Sequence, residues 1–358
     1  MVELNQKLIS EREMKQDYLV NSGKLVLDAG DGLPMLRVLD GRGEDCMEPM
    51  ELSEIAHKQL GGYLRIPVSY YDRMLEDQPE LLAHNVNSWL RQSQDAKLLR
   101  TMDGTARALL SNHYRCVDNL ELLQVINPII EETPGLSVES CGLTQSRMYL
   151  KVVNEKLQQD VAPGDTVQYG VCISNSEVGL GAIIIQPLIY QLICTNGMIV
   201  NKAIGNASRR IHKGSAMELK GTFRSYQAPE LRNQHEFVDQ IRNTLKEAIA
   251  GAQFQFVVDQ MRKSREIPIE AEDLPALIKM VGNTIGIRET EQDGVLHHLL
   301  DSQNMTLYGL TNAVTRYAQD VSSYDRSTQL EAAGYELMTM PMRQWMYFNQ
   351  MAAPQAAA

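Results

Sequence analysis

The chain has 358 residues, 44% hydrophobic and 22% charged, a balance that suits a globular fold with a large core and excludes a disordered chain. Its formal net charge of −11 excludes a protein that coats nucleic acid over its whole surface, but allows one basic groove on an acidic body. Five scattered cysteines without a CxxC pair argue against a disulfide framework or a structural zinc site, and fit a reducing cytoplasm.

In chain order, residues 3–20 read as a polar helix, and residues 24–27 and 34–39 as a short hairpin across the turn-rich DAGDGL. Three short helices follow, one stopping at Gly61-Gly62 and two opened by Pro67 and Pro79, where a helix start tolerates proline. The pattern then changes from helical to extended. Residues 97–115 predict a hairpin turning at Asp103-Gly104, and Asp118 predicts the N-cap of a helix over 120–130. A meander is expected next, from strands at 136–144, 147–153, 166–174 and 182–192, and then one long helix over 231–263. Helices after Asp273 and Glu289, at 306–322 and at 328–336, end the chain before a low-complexity tail. The expected class is α+β, a central antiparallel β-meander core backed by helices, with a helical N-terminal region and an all-α C-terminal part. The expected divisions are 1–95, 96–265, 266–350 and a frayed 351–358. No run of about 18 apolar residues occurs, so no membrane span is expected, and the charged N-terminus lacks the apolar centre of a signal peptide.

Charge reverses in one place. Residues 201–226 hold six cations (Lys202, Arg209, Arg210, Lys213, Lys220, Arg224) and His212 against one anion, Glu218. Adjacent arginines in the Gly/Ser/Asn-rich SRRIHKG cannot both be buried cheaply, so contact with phosphates or with an acidic partner is expected there. A second basic strip, Arg100, Arg107 and Arg115 on the hairpin, is expected to line the same groove, and Tyr114 to stack on a base. Solvated strand charges and core aromatics are the plainer alternatives for the hairpin.

Enzyme chemistry lacks a constellation. None of the seven histidines stands in HExxH, in HxH or beside paired cysteines, so no metal or other cofactor is expected. His113 and Cys116 have no orienting acid legible nearby. The glycines of SNSEVGLG match neither a P-loop nor a dinucleotide fingerprint.

The ordered phrases LRIPVSYYDRML, LLAHNVNSWL, RALLSNHYRCVDN, ICTNGMIV with RRIHKG, LTNAVTRYAQD and LEAAGYEL resemble the phage- and plasmid-borne protein family whose function is not assigned. The match runs over about residues 50–345. It implies a bacterial host cell and a role in replication, recombination or counter-defence, and it carries over no catalytic residue. The order hairpin, helix, meander and helix is also similar to the core of phage single-strand annealing proteins, which implies a ring or filament of copies. The function expected from charge and resemblance together is single-stranded DNA binding with ATP-independent annealing, through Arg100, Arg107, Tyr114, Arg115, Lys202, Arg209, Arg210, His212 and Lys213. The alternative is an oligomeric assembly component of a phage, in which the basic segment meets protein.

Overall fold

The computed structural model describes residues 1–30, 32–192, 195–200, 217, 219, 221–229, 231 and 234–352, together with the backbone of 208–210. Contacts divide the chain into two units, each assembled from separated stretches. The first holds Met1–Gln124, Asn175–Ile183 and Arg210–His235, and the second holds the rest. The class is α+β. No helix among the described residues is long and apolar enough to cross a membrane.

The first unit is built on a seven-stranded sheet ordered β13-β1-β5-β6-β4-β3-β2. Its strands are β1 (Lys15–Asn21), β2 (Leu25–Asp28), β3 (Met35–Val38), β4 (Met50–Leu52), β5 (Ala96–Met102), β6 (Thr105–Ser111) and β13 (Phe223–Tyr226). Antiparallel pairing holds throughout except for β4 beside β6. The Asp-Gly hairpin forms as expected: Asp103 and Gly104 both take positive φ, 49° and 71°, the conformation a two-residue type I′ turn demands.

The polar run expected as one helix splits. Val2–Met14 is helical (α1), but from Lys15 the chain is β1, wedged between β5 and β13. Strand pairing decides this against a polar local sequence that favours neither state strongly. The N-terminal 95 residues thus supply four strands as well as helices.

Side-chain alternation gives this sheet two buried faces. Val20, Leu99 and Leu109 face a core shared with α2 (Glu54–Tyr63), α3 (Val68–Asp77) and α4 (Pro79–Leu90). Leu19, Leu98 and Leu110 face the opposite way, towards Cys116 and Val178. Ser53 caps α2 by accepting a hydrogen bond from the Ala56 amide at 3.1 Å, and Pro67 and Pro79 stand at the starts of α3 and α4.

The second unit contains an antiparallel meander ordered β11-β10-β9-β8-β7. These strands are β7 (Leu136–Leu143), β8 (Met148–Ala162), β9 (Asp165–Asn175), β10 (Ile183–Gln191) and β11 (Asn196–Ile199), with β12 (Ser208–Arg210) paired to β10. At Gly170 the β8 backbone comes so close that an added Cβ would stand 2.2 Å from the Val152 carbonyl oxygen. Only glycine fits there.

The single long helix expected next is two, α6 (His235–Ile249) and α7 (Phe254–Arg265), parted at Gly251 in the left-handed region. Five more helices follow: α8 (Leu274–Ile285), α9 (Glu289–Ser302), α10 (Leu307–Tyr317), α11 (Tyr324–Met338) and α12 (Met342–Met351). Their shared core includes Val281, Leu299, Leu330 and Trp345, while Tyr169, Phe254 and Met338 pack where helices meet the sheet.

Candidate functional site

A buried ionic cluster lies in the first unit, on the sheet face opposite α2–α4. Alternation places Lys15, Asp17 and Leu19 of β1 on that face, with Arg100 directly across from Asp17. Between Arg100 and Thr101 the register jumps, pairing Ala108 and then Ala106, so Arg107 is the extra residue of a bulge. A bulge turns that extra side chain to the same side as its neighbour. Two arginines therefore face one point.

Glu177, from the loop after β9, sits at that point with 2% of its surface exposed. Its carboxylate accepts from Lys15 Nζ at 2.8 Å, from Arg107 Nη2 at 2.9 Å and from the Asn119 amide at 2.7 Å. That amide opens helix α5 (Asn119–Glu132), so the carboxylate also meets the positive end of a helix. Burial would push the Glu177 carboxyl up, but Lys15, Arg100 and Arg107 hold it down at about 2. It is ionised at any physiological pH.

Arg100 is 2% exposed and spends three N–H groups on the unit's interior. Nε donates to Asp17 at 2.8 Å, Nη1 to the Glu177 carbonyl oxygen at 2.8 Å and Nη2 to Asp118 at 2.7 Å. Burial works against its charge, but Asp118, Cys116, Asp17 and Glu177 more than offset this and raise its pKa well above normal. Cys116 lies beside it, its thiol donating to Asp17 at 3.7 Å, and burial pushes that thiol up to about 12. A thiol so raised is a poor nucleophile at neutral pH.

Beside the cluster opens a cavity of about 400 Å³. Lys15, Asp17 and Arg100 form one wall, and Asp118, just before α5, with Leu120 and Glu121 of its first turn, forms another. Arg12, Gln16 and residues 225–228, which run from the end of β13 into the segment beyond it, complete the lining.

The nine residues expected to meet DNA divide sharply. Arg100 is internal, meeting solvent only at the cavity wall, and Arg107, with a side chain 16% exposed, is tied to Glu177. This corrects the basic-strip expectation for Arg100 and Arg107, which face a buried glutamate instead. Tyr114 is half-buried and donates its hydroxyl to the Ser176 carbonyl oxygen at 2.7 Å, and burial raises its pKa. Arg115 is half-buried. Lys202, His212 and Lys213 lie outside the described residues, as do the side chains of Arg209 and Arg210, whose backbone forms β12. The parts of Lys15, Asp17, Asp118 and Glu177 are not legible in the sequence, because each draws its meaning from partners 18 to 162 positions away.

Among the described residues no group of three or more His, Cys, Asp and Glu converges as a metal site would. The family model of a domain of unknown function, DUF932, matches residues 107–338, about two thirds of the chain. The chain belongs to the DUF932 family. The DUF932 stretch opens at Arg107 and contains Asp118 and Glu177, whereas Lys15, Asp17 and Arg100 precede it. No curated protein and no solved structure matches the chain.

Proposed function

We propose that this protein binds single-stranded DNA through the basic segment 201–226, as a phage- or plasmid-borne replication or recombination factor in the bacterial cytoplasm that anneals strands without ATP and works as a ring or filament. The observation that carries the reading is the charge reversal: six cations and one anion in 26 residues of a chain whose total is −11. Counterion release from phosphates rewards such local density whatever the sign of the remainder. Arg209, Arg210, Lys213 and Lys202 hold phosphates in this reading, His212 assists, and Arg224, exposed on the edge strand β13, extends the track. Arg100 and Arg107 keep the fold and leave the groove.

Fluorescence anisotropy of a labelled strand of about 30 nucleotides, beside a duplex of equal length, tests this at a series of salt concentrations. Four phosphate contacts predict a slope of log affinity on log salt near −3 for the single strand. The double variant Arg209→Ala, Arg210→Ala should lose at least tenfold in affinity. An absence of binding at low salt overturns the reading and favours the other one, an assembly component whose basic segment meets the acidic surface of a neighbouring copy. The −11 total supports that alternative, and a drop in solution mass of the same double variant would establish it.

A further inference from the structure

We infer that the cavity beside Glu177 receives one unpaired base of the bound strand, a role that rests on the single-strand reading and names the part of the ligand this pocket takes. Its volume, about 400 Å³, falls within the roughly 300–1,000 Å³ of small-ligand sites. Its charges select the ligand class. Three cations, Arg12, Lys15 and Arg100, are matched by three carboxylates, Asp17, Asp118 and Glu121, so the lining is formally neutral. A phosphate entering would meet those carboxylates, and an apolar ligand would strip charged groups of water without replacing their hydrogen bonds. A neutral ring with donors and acceptors around its edge satisfies both conditions, and a nucleobase is such a ring.

The remaining walls suit its faces. Tyr226 and Leu120 offer apolar surface, and an aromatic side chain accepts any base by stacking. The Arg224 guanidinium stands 5.8 Å from the Tyr226 ring centroid, close enough to enrich that ring's interaction with a base and to hold the phosphate beside it. Location agrees as well. The wall at 225–228 begins directly after Arg224, the last cation of the basic segment, in the strand β13. The adjoining wall on β1 and β5 is fixed, because Lys15 and Arg100 are both held by Glu177. A base already unpaired pays only the cost of leaving its stack, which favours single strands over duplex.

Saturation-transfer NMR with thymidine and deoxyadenosine reads the cavity without any strand. Base protons should receive more saturation than sugar protons. Filling the cavity by Ala228→Phe, or removing its ring by Tyr226→Leu, should cut the signal at least fivefold at an unchanged melting temperature. A strand carrying one 2-aminopurine should brighten several-fold on binding wild type and much less on binding either variant. No transfer to either nucleoside, or transfer that survives in every variant that folds, overturns the cavity whether or not the strand binds. Transfer to nucleosides from a protein that binds no strand upholds the base site and overturns the strand reading alone.

Discussion

Arg107 reaches Glu177, 2.9 Å away, because β6 carries one residue more than the strand it faces. Without that bulge the side chain would follow Leu109 towards the helices, and the buried carboxylate would lose one of its two side-chain cation partners. The pairing makes Glu177 the hub of the cluster, the one buried carboxylate that Lys15 and Arg107 share.

Glu177→Gln keeps the shape and removes the charge. It takes from Arg107 the carboxylate it pairs with and leaves nearly buried Lys15 with only Glu11, 3.8 Å away, a defect of about 3 kcal/mol. Urea unfolding followed by circular dichroism should show a midpoint shift of that size with an unchanged slope. An exposed control such as Glu54→Gln, on α2, should shift it by less than about 0.5 kcal/mol.

The same carboxylate sets a pH dependence. Its folded value, about 2, lies below the ordinary 4.5, so the native state holds fewer protons than the unfolded one between these limits. The stability it contributes is fully present above about pH 4.5 and is lost as pH falls towards 2, up to about 3 kcal/mol in all. Stability measured from pH 6 down to 2 should decline, and the decline should be visibly shallower in Glu177→Gln. Equal slopes would show that other carboxylates govern acid unfolding.

A second buried pair, in the other unit, predicts non-additivity. Lys151 donates to Glu331 at 2.6 Å, with side chains 7% and 1% exposed, while the second Glu331 oxygen is buried without a partner among the described residues. Burial pushes the Glu331 carboxyl up, against the pull of the Lys151 ammonium beside it. Lys151→Met alone should cost about 3 kcal/mol, and Lys151→Met with Glu331→Leu should recover most of it, since apolar replacement of both partners avoids the lone charge. A double variant no better than the sum of the singles would contradict this account.

Thiol reactivity should follow burial. Cys116 and Cys172 are buried and both are pushed up to about 12, so a disulfide reagent at pH 8 should leave them unmodified until the protein unfolds. Mass spectrometry of peptides after brief native labelling checks this, with Cys46, which is partly exposed, as the internal reference.

Much of the fold is legible where a signal is local. Asp103-Gly104 names its own turn, Pro67 and Pro79 mark helix starts, and the β-branched runs at 136–191 appear as β7 to β10. What escapes depends on distant partners. β1 reads as more helix because KQDYLVN carries no strong preference, and its state is decided by pairing with Arg100 and its neighbours about 80 positions on and with Phe223 to Tyr226 about 200 on. Glu177 sits in a glycine-containing loop that looks like any turn. Nothing within ten residues of Glu177 announces that its carboxylate will be buried among cations. The arginines of the hairpin stand out by charge and yet mislead, because sequence shows that Arg100 and Arg107 are close together but not that the sheet turns both inward.

The position of β13 at one edge of the first sheet sets an order of events during synthesis. Its partner β1 leaves the ribosome first, yet waits for some 200 further residues before Phe223 to Tyr226 exist to pair with it. Until then the flank of β1 that will receive β13 is an open strand edge, free to pair with a neighbouring chain. Vectorial folding of this chain therefore closes backwards: its earliest strand is among the last to be covered, and its yield in a cell depends on what guards that edge in the interval.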